Sequence, residues 1–142
     1  MRIFILEDDA NRIGWFTEEF GDEELVFCNH ATPALDILAV VKFDVAFLDH
    51  DLGGRTYVPS SDPNTGYRVA QGLAVSINRH IPVIIHSFNP DGAKNIRFAL
   101  KNGGHLGQVA IVPFSTFDKT ILSYSRNKKE SSDADRKPTA PS

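Results

Sequence analysis

The stretch Phe43-Asp44-Val45-Ala46-Phe47-Leu48 is almost unbroken apolar sequence, and it runs directly into Asp49-His50-Asp51-Leu52-Gly53-Gly54. A short apolar run without polar alternation reads as a strand covered by helices on both faces. The polar residues after it have no place in a core, so they mark a sheet edge of the kind where function sits. Two other runs follow the same grammar. Arg2 to Leu6 ends in Glu7-Asp8-Asp9, and Pro82 to Ile85 ends in His86-Ser87-Phe88-Asn89.

Helices alternate with these strands. Ile13, Phe16 and Phe20, with Trp15 alongside, predict a helix from Ala10 that Gly21-Asp22 breaks. Glu24 to Cys28 is a second strand. Thr32 as N-cap and Pro33 in the first turn open a second helix, with Ala34, Leu35, Leu38 and Val41 inward. Thr65 or Gly66 starts a third, with Val69, Leu73 and Ile77 inward. Asn89-Pro90-Asp91 starts a fourth, which carries Ala93, Ile96, Phe98 and Leu100 and stops at Asn102-Gly103-Gly104. Val109 to Val112 reads as a fifth strand and Phe114 to Tyr124 as a fifth helix. Arg55 to Thr65, rich in Pro, Ser, Asp and Asn, exceeds an ordinary turn and reads as a lid or an insertion.

Five alternations predict an α/β three-layer sandwich with a five-stranded parallel sheet and right-handed crossovers. The flavodoxin-like strand order 2-1-3-4-5 is expected. It brings the carboxyl ends of strands one, three and four together at the switch point, where such sheets bind ligands. Residues 1–125 form this domain, and residues 126–142 are polar, charged and Pro-containing, expected as a disordered tail. A net charge of -3 gives no electrostatic argument for nucleic-acid affinity. Cys28 is the single cysteine, which excludes an intramolecular disulfide. No segment approaches a signal h-region or a membrane span, so a cytoplasmic protein is expected. No P-loop, dinucleotide fingerprint, zinc spacing or nucleophile elbow is present, and His30, His80 and His105 read as surface or structural residues.

The acids after strand one offer hard oxygen ligands suited to magnesium or calcium. The alternative is that they are solvated or cap the first helix. Arg12, one turn on, either pairs with an acid or binds a phosphate. In Asp49-His50-Asp51 a neighbouring carboxylate can hold the imidazole in one tautomer. His86 is the second imidazole at this edge. A histidine pair suits acid–base cleavage of a phosphodiester, one ring taking a proton and the other giving one to the leaving oxygen. Ser87 and Asn89 can bond phosphate oxygens, beside the free N–H groups that open the fourth helix.

These residues resemble two families. Acids after strand one, an aspartate ending strand three and a serine after strand four are similar to the response-regulator receiver domain. On that likeness Asp8, Asp9 and Asp49 are the metal-binding and phosphoacceptor acids. A receiver carries a Lys-Pro pair at strand five, where this chain has Val112-Pro113. Leu48 to Gly53, Thr65-Gly66 and His86-Ser87-Phe88-Asn89-Pro90-Asp91-Gly92 with Asn95 more closely resemble the cyclic-phosphate-processing receiver-like domains, over Arg2 to about Gly104. That resemblance implies a phosphodiesterase or hydrolase acting on a cyclic nucleotide or an RNA cyclic-phosphate end, in the setting of phage-host conflict or RNA repair. His50, His86, Asp49 and Asp51 would be catalytic, and Ser87, Asn89, Arg12, Thr65 and Asn95 would hold the substrate. A magnesium ion at Asp8, Asp9 and Asp49 is compatible but not required. The alternatives are a binder of a phosphorylated or cyclic-nucleotide ligand that does not cleave it, or a degenerate signalling receiver.

Overall fold

The computed structural model describes residues 1–118 and 120–122. Its elements run β1 (Arg2–Leu6), α1 (Ala10–Glu19), β2 (Glu24–Cys28), α2 (Ala31–Val40), β3 (Val45–Leu48), α3 (Gly66–Ala74), β4 (Val83–Ile85), α4 (Pro90–Asn102) and β5 (Val109–Ile111). The five strands are parallel, in the order β2-β1-β3-β4-β5. Both the expected class and the expected strand order are met.

Strand alternation divides the core in two. Phe4 and Leu6, Ala46 and Leu48, and Val83 and Ile85 face α2, α3 and α4. Ile3 and Ile5, Val45 and Phe47, and Ile84 face Phe16 and Phe20 of α1 together with Phe114, Phe117 and Leu122. All six side chains of the first set are essentially without solvent contact, which is why these strands read as bare apolar runs.

Local differences from the sequence expectation have identifiable causes. Helix α2 starts at Ala31 with His30 as its N-cap residue, two residues ahead of Thr32. The Asn64 side chain, from the long loop, accepts the Ala31 N–H at 2.9 Å and supplies a cap that local sequence does not. Helix α3 ends at Ala74, so Ile77 falls beyond it and is 46% exposed. On α4 the inward stripe is Ala93, Ile96, Ala99 and Leu100, and Phe98 lies off it in solvent. The expected strand starts at Phe43 and Pro82 move in to Val45 and Val83. Buried Asn78 holds the Phe43 N–H and the carbonyls of Leu38 and Val41, fixing that junction as a loop. In place of one helix from Phe114, a 3-10 turn spans Phe114–Thr116, and residues 120–122 are helical. The remainder of that expected helix and the expected tail lie outside the described residues. Among the described residues no helix is long and apolar enough to cross a membrane.

The long loop is pinned at both ends. Asp51 bridges to Thr65, and the Gly66 N–H donates to the His50 carbonyl at 2.9 Å. A Cβ on Gly66 would lie 2.0 Å from the Asp49 carbonyl oxygen, a backbone atom that cannot swing aside. Gly66→Ala is therefore expected to cost about 3 kcal/mol, the upper end of overpacking effects. Urea denaturation of the variant checks this; a midpoint equal to the native one would contradict it.

Candidate functional site

Register carries the alternation past the strand ends. Asp49 N–H donates to the Leu6 carbonyl and His86 N–H to the Leu48 carbonyl, so Glu7, Asp49 and His86 continue the α1 side of the sheet. His50 continues the opposite side, under α4.

Glu7 is completely buried. One carboxylate oxygen accepts the N–H groups of Asp8 and Asp9, at 3.0 and 3.1 Å. The other takes Arg12 Nη1 at 3.3 Å and His86 Nε2 at 3.0 Å. Burial pushes the Glu7 carboxyl up, but the His86 hydrogen bond and charge, the Asp9 backbone bond and Arg12 together hold it below its usual range. Asp49 is placed otherwise. Its Oδ1 accepts the His50 N–H at 2.8 Å, and its Oδ2 lies 3.6 Å from Arg12 Nη1. Burial pushes this carboxyl up to about 7; the charge of Glu7 adds to the rise, while His86 and Arg12 oppose it.

Asp8 accepts the Gly54 N–H. Gly54 has φ +72°, a left-handed conformation that glycine adopts without strain and that turns its N–H toward the acid. Carboxylate oxygens of Glu7, Asp8 and Asp49 all lie within 4.8 Å of one another. These hard oxygen donors suit a divalent cation. Asp9, expected in the metal set, instead caps α1 by accepting the Arg12 N–H at 3.0 Å. Alternation puts Glu7 with Ile3 and Ile5 on the face of Asp49, and the start of α1 takes up Asp9 as its cap. The Arg12 guanidinium lies 4.1 Å from the Phe88 ring centroid and 5.1 Å from that of Phe114, which holds its plane. Glu7, Asp8, Asp9, Arg12, Asp49, Asp51, Arg55 and Phe88 are among the residues that line a cleft of about 390 Å³.

The two histidines do not meet. His86 is 1% exposed and packed among the rings of Phe16, Phe47, Phe114 and Phe117, at centroid distances of 5.7 to 6.4 Å. His50 is fully buried on the other face, where a Cβ on Gly92 would fall 2.4 Å from its ring. Neither lines the cleft. The expected His50/His86 pair acting directly on one phosphate is therefore not what the fold assembles. Successive residues of a strand cannot serve one side, and the chain sends Asp49 and His86 one way and His50 the other.

The remaining expected residues mostly hold the loop and the helix starts. Asp51 accepts His50 Nδ1 at 2.7 Å and the N–H groups of Tyr57 and Val58. Burial raises its carboxyl, but hydrogen bonds from His50, Asn89 and Tyr57 outweigh this and hold it low. Asn89 caps α4 and donates to Asp51 and to the Val58 carbonyl, both at 3.2 Å. Ser87 Oγ accepts the Asn89 N–H at 3.1 Å. Thr65, fully buried, caps α3. Asn95 donates to Ser60 Oγ at 2.9 Å. The sequence places Glu7 in the strand-end acid cluster but not in the metal set, and it assigns Phe88 and Ser60 no role. Extending the strand alternation would have found Glu7; nothing local distinguishes Ser60 from its polar neighbours.

Comparison with known proteins agrees with this architecture. The receiver domain of a sensor histidine kinase from Pseudomonas aeruginosa, crystallised with a magnesium ion coordinated in its active site cleft, superposes with a TM-score of 0.62 at 14% identity, over 91% of this chain and 94% of that one. A CheY-like receiver domain from Methanospirillum hungatei gives 0.59 at 14% identity, over 90% and 91%. A Thermotoga maritima response regulator in complex with Mg(2+)-BeF gives 0.63 at 16% identity, over 88% and 96%. At such identity the likeness establishes the fold alone. No curated protein matches the sequence. The model of the cyclic-phosphate processing receiver domain matches residues 2–102, most of the chain, and the protein belongs to that family.

Proposed function

We propose that the chain is a phosphoesterase that opens a cyclic phosphate carried by a nucleotide or an RNA end, and that it works at the acidic cleft rather than through paired histidines. The observation that carries this reading is the convergence of Glu7, Asp8, Asp49 and Arg12 on one cleft in a member of a cyclic-phosphate processing family. In ring opening, water adds to phosphorus, one ring P–O bond breaks, and the released oxygen takes a proton. Arg12 has the geometry to meet the non-bridging oxygens, its guanidinium plane fixed by Phe88. Burial pushes the Asp49 carboxyl up to about 7 in the metal-free chain, and a cation at the cleft would draw it into the carboxylate form, as a ligand rather than a proton carrier. Glu7, Asp8 and Asp49 would hold a divalent cation, which supplies charge neutralisation at the phosphate when bound. His86 acts through Glu7 by fixing its carboxylate inside the aromatic cage.

Turnover of 2′,3′-cyclic nucleotides with magnesium present, and its loss with EDTA, is the expected outcome. Magnesium alone should also raise the melting temperature, since a ligand of the native state stabilises it. No turnover of any cyclic nucleotide or RNA cyclic end sinks the reading. The receiver likeness favours one second reading, a phosphoacceptor role for Asp49. It predicts a magnesium-dependent adduct with beryllofluoride, while β5 leads into Val112-Pro113 where a receiver has its lysine.

A further inference from the structure

We propose that Ser60, His50 and Asp51 form a serine nucleophile centre, with Ser60 outside the acidic cleft, that acts on an uncharged acyl ester. The atoms are joined in the order that such a relay requires. Asp51 Oδ1 lies 2.7 Å from His50 Nδ1, and His50 Nε2 lies 2.8 Å from Ser60 Oγ. With Nδ1–H donated to the carboxylate, Nε2 is the acceptor and the Ser60 hydroxyl donates to it. Triads are recognised by this geometry and these roles, not by sequence order or fold.

The supporting groups are rigid. Asp51 receives Tyr57 N–H at 2.6 Å, Val58 N–H at 3.2 Å and Asn89 Nδ2 at 3.2 Å, so its carboxylate cannot turn. His50 is sealed beneath Gly92, whose missing side chain makes room for the imidazole. Tyr57 holds φ +53°, a strained value for a bulky residue, and it is the residue whose N–H reaches Asp51. Ser60 is half-buried, whereas His50 and Asp51 are buried. A loop tie needs only some hydrogen bond to Ser60. It does not need an imidazole oriented by a buried carboxylate held by three further donors.

The ester class follows from charge. Ser60 touches an imidazole and the neutral Asn95 amide, while Arg55, the nearest basic residue in the loop, is paired with Asp62. The groups that Ser60 touches offer no positive side chain for a phosphate, whereas an ester carbonyl needs only a donor for its oxygen. The second N–H of the Asn95 amide is that donor. Ser60 Oγ bonds to the carbonyl carbon as its proton passes to His50 Nε2. The alcohol oxygen leaves with that proton, and the acyl group stays on Ser60. Water then adds to the acyl carbon, giving its proton to His50, and the acid departs as Ser60 Oγ takes the proton back.

The test is covalent labelling of the full chain with a neutral fluorophosphonate, read by peptide mass spectrometry, with p-nitrophenyl acetate as the turnover probe. The expected result is one adduct on Ser60 and none in Ser60→Ala. His50→Gln should slow labelling about 100-fold. Asn95→Ala, an exposed change that leaves the buried His50–Asp51 pair intact, should slow acyl turnover ~100-fold at an unchanged melting temperature. An unlabelled Ser60 in the native chain, or an adduct only at another residue, overturns the proposal whatever the fate of cyclic phosphates.

Discussion

Asp49→Asn is expected to lose at least ~100-fold of cyclic-phosphate turnover, the scale of one group that stabilises charge at the reacting centre, while making the metal-free protein more stable above neutral pH. The two effects share a cause. The Asp49 carboxyl is buried against Glu7 and pushed up to about 7 from an ordinary value of 3.8. Between those two values the unfolded chain gives up the proton and the folded chain keeps it. The folded state then binds more protons, so stability falls as pH rises from about 4 to about 7, and the loss is complete above that window. The penalty is on the order of a few kcal/mol. Asparagine carries no titrating proton and keeps an oxygen for the His50 N–H. Urea denaturation in metal-free buffer should show a flatter profile for the variant and a higher midpoint than native at pH 8. Parallel profiles would show that Asp49 is already ionised in the folded chain.

His86→Leu is expected to destabilise by about 2 kcal/mol, the scale of leaving a buried charged group short of one hydrogen-bond partner. Leucine fills the space among Phe16, Phe47, Phe114 and Phe117, but the Glu7 carboxylate loses its 3.0 Å partner. Arg12 and two backbone N–H groups still serve Glu7, which limits the cost. Burial then dominates, and the Glu7 carboxyl moves up rather than down. The double variant Glu7→Gln/His86→Leu removes the stranded charge and should recover most of the loss. Chemical denaturation of the cycle decides; strict additivity would mean that the pair carries no coupling.

These two residues also show how far the sequence could be read. The strand ends were legible because Leu6, Leu48 and Ile85 close apolar runs and acids or histidines follow at once. Parallel order then placed Asp49 beside the β1 acids without further information. What pairs with what was not legible. Asp9 looked like a ligand because it is an acid in the right place, yet the start of α1 needs a cap, and Asp9 is the residue in position to provide one. His50 and His86 looked like partners because both follow apolar strands, yet each continues a different side of the sheet. The Asn64 cap on α2 and the Ser60 contact with His50 depend on the path of the long loop. Composition says only that this loop is polar, and no periodicity fixes where it returns.

The most direct test of the central claim is ³¹P NMR of a 2′,3′-cyclic nucleotide incubated with the native chain and magnesium, beside Asp49→Asn. The native chain should convert the cyclic resonance to that of a monoester, and the variant should leave it in place over the same period. A cyclic resonance untouched by the native chain, or converted equally by both, would contradict ring opening at the Glu7, Asp8 and Asp49 cleft.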